Sequence, residues 1–138
     1  MPLTALVRQL QQVPLTGELG ARLQRGDRLR LAGAGRAARA LVSSALAAAA
    51  GAPLLVVVPT LEEAGRWASL LELMGWSSCH LYPTSEGSPY EPFDPTSEIT
   101  WGQLQVLGEL LDGGERFAIV ATERALQPHL PPPEACSR

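Results

Sequence analysis

Cysteine is scarce in this chain, and what else is missing narrows its possible roles. The 138 residues include two cysteines, Cys79 in an apolar stretch and Cys136 near the end. They are too few and too unevenly placed for a disulfide framework, which points to a reducing compartment. The start, MPLTALVRQLQQVPLTGEL, lacks a charged segment followed by a long apolar run, and no stretch approaches the roughly 18 apolar residues that span a bilayer. A cytoplasmic protein with no membrane association is expected. Bulk positive charge is missing too, the net charge being −3 and the pI near 5.3, so there is no broad field of the kind that neutralises phosphate backbones. Metal-ligand spacing is absent: His80 and His129 stand far apart, and neither has a nucleophile in a recognisable setting.

A further absence falls between Leu29 and Leu41. An apolar strand, glycines and a helix follow one another there as in a phosphate-binding loop, G-x-x-x-x-G-K-[ST], whose backbone N–H groups wrap phosphates while Lys and a hydroxyl hold the terminal phosphate and Mg²⁺. In that register Arg30 replaces the first glycine, Gly33 and Gly35 remain, Arg36 replaces the lysine, and Ala37 puts a methyl where the metal-binding hydroxyl belongs. A nucleotidase-like scaffold without nucleotidase activity is expected. The same glycines, with Ala38, fit the dinucleotide fingerprint G-x-G-x-x-[GA]. The acid that should end the next strand and grip a ribose is replaced by Pro59-Thr60. A tight turn and close helix-to-strand packing are the ordinary reasons for such glycines. A small nucleotide- or dinucleotide-binding enzyme is the alternative reading, and a DNA-contacting patch of Arg28, Arg30, Arg36 and Arg39 is a third.

What is present reads as one α/β domain. Leucines at helical spacing predict helices over Thr4 to Gln12 and Thr16 to Gln24, broken at Val13-Pro14. Strands are predicted at Arg28 to Ala32, Leu54 to Val58, Ser78 to Tyr82 and Phe117 to Ala121. Helices alternate with them: Arg36 to Ala50, a helix opened by the capping-box pair Thr60 and Glu63 and running to Gly75, and Ser97 to Asp112. The apolar run Leu54 to Val58 suggests a strand covered on both faces. Alternation of this kind predicts a parallel sheet of about four strands with crossover helices, whose carboxyl ends share the ligand-binding edge. Residues 1–126 form the domain in this reading, and 127–138, with Pro128, Pro131, Pro132 and Pro133, an extended linker or truncated start of the next one.

The remaining chemistry-bearing residues have ordinary explanations. Glu86, Glu91, Asp94 and Glu98 would most simply cap and complement the helix after them. Tyr82, Tyr90 and Phe93 lack interleaved cations for nucleic-acid binding, so they are expected to dock their loop onto the domain. Trp67, Trp76 and Trp101 are expected to pack.

The stretch Leu81-Tyr82-Pro83-Thr84-Ser85-Glu86-Gly87-Ser88-Pro89-Tyr90-Glu91-Pro92-Phe93-Asp94-Pro95, followed by Ile99, Leu104 and Leu107, resembles the bacterial transcription-repair coupling factor family in its N-terminal UvrB-like module. There a strand ending in aromatic-Pro leads to an acid, Pro-Tyr-Glu and a Pro before the next helix. The glycine loop Gly33 to Gly35, Leu54 to Pro59, and Ile119 to Thr122 before Ala125-Leu126 support the likeness, which covers about Leu3 to Pro132. Members are multidomain ATP-driven DNA translocases that dislodge stalled RNA polymerase and recruit UvrA in nucleotide excision repair. The resemblance implies a P-loop-like fold and only the first, non-hydrolysing part of the module, with ATP and Mg belonging to a motor downstream and no cofactor here. It implies adjacent parent domains as direct partners, and UvrA and RNA polymerase as partners of the whole protein. Tyr82, Pro83, Glu86, Pro89, Tyr90, Glu91, Pro92 and Phe93 are then a structural signature. Gln103 departs from the arginine the family often has. UvrB itself carries an intact Lys-Thr loop and a long aromatic hairpin, both missing here, so direct DNA binding is not expected.

Overall fold

The computed structural model describes residues 3–82, 98–112 and 116–126. It opens with two short helices, α1 (Thr4–Gln11) and α2 (Pro14–Gln24). The break at Val13-Pro14 is as expected, but α2 starts at the proline rather than at Thr16. In the first turn the missing N–H has no partner to lose, and the fixed φ already suits a helix.

Helix α3 (Arg36–Ala50) and strand β1 (Leu54–Val58) have the expected bounds. α3 ends where Gly51 takes φ +63°, and the N–H groups of Gly51 and Ala52 donate to the carbonyls of Ala48 and Ala47 at 3.2 and 3.0 Å. Orphan carbonyls of the last turn are thereby satisfied. Next come α4 (Leu61–Leu73), β2 (Ser78–Leu81), α5 (Glu98–Leu111), β3 (Phe117–Thr122) and a 3₁₀ turn, Arg124–Leu126.

The fold is mixed α/β, with a parallel three-stranded sheet of order β1-β3-β2 among the described residues. Val56 pairs with Val120, Val58 with Thr122, and Cys79 with Ala118. All three strands therefore end at one edge of the sheet. The strand expected at Arg28 to Ala32 is not formed: these residues run as irregular, largely exposed chain. Their alternating pattern suits a strand, but nothing among the described residues pairs with them, and a strand without a ladder leaves its backbone groups to water.

Alternation along β3 divides the core. Ala118 and Val120 face α3 and α4 with Val56, Val58, Leu71 and Trp76, while Ile119 and Ala121 face α5 with Val106 and Tyr82. Leu71 is fully buried, a side chain worth about 1.5–3 kcal/mol relative to exposure. β1 was expected to be covered on both faces. Instead Leu55 and Val57, on the α5 side, are 59% and 47% exposed: among the described residues α5 packs on β3 and Tyr82 and not on this edge.

Candidate functional site

The glycine loop sits at the carboxyl edge of the sheet. α3 leads back to the start of β1, so its N-terminus lies beside the end of that strand, where α4 also begins. This is the edge at which open α/β sheets bind ligands. Gly33 has φ +71°, a conformation that favours glycine, so the tight turn has its expected cause. Close packing does not: a Cβ on Gly33 or Gly35 would meet nothing within 4 Å. Gly35 is the N-cap of α3 and provides no side-chain cap.

Arg36, in the position of a phosphate-binding lysine, is turned onto α4. Its Nε donates to Glu63 Oε2 at 2.9 Å, and its Nη2 donates to Glu63 Oε1, giving a two-pronged pair. The hydrogen bond to Arg36 holds the Glu63 carboxyl below its usual range, and the same bond raises the guanidinium's pKa. Glu63 thus plays only half of the expected capping box. Its N–H donates to Thr60 Oγ1 at 3.2 Å, but its carboxylate serves Arg36. Glu62 accepts from Arg66 one turn on, at 2.5 Å. Between the helices lies an open groove of about 510 Å³ lined by Arg36, Ala37, Glu62, Gly65, Arg66 and Ser69.

These residues do not fit a nucleoside triphosphate with Mg²⁺. The chain has no lysine at all, Ala37 offers no metal ligand, Arg30 is an exposed residue of the irregular segment, and the cation at the lysine position is neutralised by Glu63. The pairing was missed from the sequence, although two crossover helices starting at one sheet edge bring their first turns together.

Other candidates separate. Tyr82 is buried against α5, and its N–H donates to the Val120 carbonyl at 2.8 Å. Pro83, Glu86, Pro89, Tyr90, Glu91, Pro92, Phe93 and Asp94 lie outside the described residues, as do His129 and Cys136. Trp76 is buried and Trp67 packs against the core, but Trp101 is 64% exposed, against expectation. Its helix turns Val106 and Leu107, not Trp101, to the sheet. Arg28, Arg30 and Arg39 are exposed, and Glu63 withdraws Arg36 from the patch they would form. Burial, with Glu72 adding, pushes the Cys79 thiol up, away from reactive thiolate. His80 Nε2 is enclosed 2.5 Å from Glu109 Oε2 without hydrogen-bond alignment. Among the described residues no cluster of three or more His, Cys, Asp or Glu suits a metal, and no helix is long and apolar enough to cross a membrane.

Compared with known proteins, the chain matches no family model, no curated protein and no solved structure.

Proposed function

We propose that this chain is a non-catalytic scaffold domain, the first part of the UvrB-like module of a bacterial transcription-repair coupling factor, acting in the cytoplasm. In this reading its fold descends from a P-loop nucleotidase, and Arg28 to Ala32 is the segment that corresponds to a fourth strand. Within the parent it holds the adjacent UvrA-binding domain and contributes to masking it until the motor engages stalled RNA polymerase. The observation that carries the reading is the Arg36–Glu63 pair: the loop's one well-placed cation is committed to holding α3 on α4. The loop has become a structural joint. ATP and Mg²⁺ belong to the parent's motor, and the signature from Tyr82 to Phe93 supports the family.

Calorimetric titration with ATP, ADP, NAD and NADP, each with Mg²⁺, is expected to give no heat of binding. Micromolar affinity that disappears in Gly35→Arg would overturn the reading in favour of a small nucleotide-binding enzyme.

A further inference from the structure

At the opposite end of the sheet from the glycine loop, α1, the turn after α4 and the start of β3 enclose a groove of about 460 Å³, within the size range of ligand sites. Its floor is apolar and fixed. Val7, Met74 and Trp76 are each no more than 6% exposed. The Trp76 indole N–H donates to Ser44 Oγ at 2.9 Å, and that hydroxyl lies 3.6 Å from Met74 Sδ, so the ring cannot turn without losing a buried hydrogen bond.

Two cations stand at this groove. The Arg116 guanidinium lies 5.0 Å from the centroid of the Trp76 ring, a cation–π contact that restrains it. Arg8 comes from the last turn of α1. Arg22, Arg36 and Arg66 each have a carboxylate partner, but among the described residues Arg8 and Arg116 have none. Ser77 adds a hydroxyl to the lining.

We infer that this groove binds an acidic peptide segment, a carboxylate bridging Arg8 and Arg116. Guanidinium forks match carboxylates in two-pronged geometry. Two guanidinium groups at one small groove suit a single carboxylate rather than a phosphate polymer, and a chain of net charge −3 lacks the extended field that nucleic acid requires. The proposal is independent of the glycine loop and of any family assignment.

The test is fluorescence anisotropy of the full chain with a fluorescein-labelled hexapeptide, EFDELE, and its neutral twin, QFNQLQ. Saturable binding of the acidic peptide is expected, weakened about tenfold or more by Arg8→Ala or by Arg116→Ala and falling with added salt. Arg116→Lys should bind at an intermediate level, since it keeps the charge but loses the fork. Both arginines are exposed, so circular dichroism and melting should match the parent; a variant that melted early would be replaced by Arg8→Gln or Arg116→Gln. Equal binding of the neutral twin, indifference to both substitutions in folded variants, or no binding at about 1 mM peptide would overturn the proposal. So would a single-stranded 12-mer DNA that bound more tightly than the peptide, since it would make this a nucleic-acid site.

Discussion

Arg36 and Glu63 show how one residue's partner decides what a loop can do. A cation in the first turn of a helix opposes the macrodipole, and the pairing with Glu63 offsets that at α3 while fixing α3 to α4. Glu63→Gln keeps a side chain acceptable at the third position of a capping box and removes the charge. The carboxyl's folded pKa is depressed, so the pair's stabilisation is present above the unfolded carboxylate value and is lost as pH falls through the folded one. Urea unfolding should therefore find Glu63→Gln less stable than the parent at pH 7, with the two converging in acid. A gap of the same size in strong acid would mean that shape, not charge, holds the joint. Ser44 presents a different case, a buried hydroxyl accepting from the Trp76 indole N–H. Ser44→Ala strands that donor and should cost about 1–3 kcal/mol. Adding Trp76→Phe should cost less in the Ser44→Ala background than alone, because the donor is gone. Strict additivity in urea midpoints would contradict the pairing.

Helix ends carry much of the local specification. α2, α3 and α4 each close with the same pair of backward hydrogen bonds, from Gly26 and Asp27, Gly51 and Ala52, and Gly75 and Trp76. Gly51 and Gly75 both have positive φ, but their surroundings differ: a Cβ on Gly51 meets open space, whereas one on Gly75 falls 3.0 Å from Thr4 Cγ2. Gly51→Ala should cost about 1–2 kcal/mol for the left-handed conformation alone. Gly75→Ala should cost more, and Thr4→Ala should recover the excess but not the conformational part. Equal urea midpoints for the two glycine variants would show that α1 yields freely. These stops explain why α3 and β1 were legible in the sequence: Gly51 and Pro53 punctuate the chain with local chemistry. Arg28 to Ala32 was misread for a complementary reason. Its Arg-Leu alternation is a strand pattern, but pairing depends on a neighbour, and strand propensity is largely a statement about neighbours. Sheet order was likewise hidden. Among the described residues the most apolar strand, β1, lies at an edge, and the central place goes to β3, whose residues 118–122 are all buried. Within the candidate site, the lost lysine and hydroxyl could be read directly from Arg36 and Ala37, but the Glu63 partner required knowing which helix starts meet.

At the scale of the whole molecule, one edge of the sheet has no further strand among the described residues. β1 pairs only with β3 among the described residues. The Val58 carbonyl accepts from Glu123 N–H on the β3 side, so by alternation the N–H and C=O groups of Leu55 and Val57 point the other way, toward the open edge. The side chains of the same two residues are exposed on the face α5 leaves uncovered. Leu-Leu-Val-Val-Val carries no charge and no internal proline, the devices by which natural edges avoid pairing with other chains. The isolated chain should therefore self-associate as its concentration rises. Val57→Lys places a solvated charge on that edge and should shift the sedimentation profile toward monomer, while changing unfolding free energy by no more than about 1 kcal/mol. Leu15→Lys is the control, a leucine of α2 that is 58% exposed and remote from the sheet, and it should leave association unchanged. If both lysine variants reduced association equally, general charge would be responsible. If neither did, the β1 edge would not be the sticky surface of this chain.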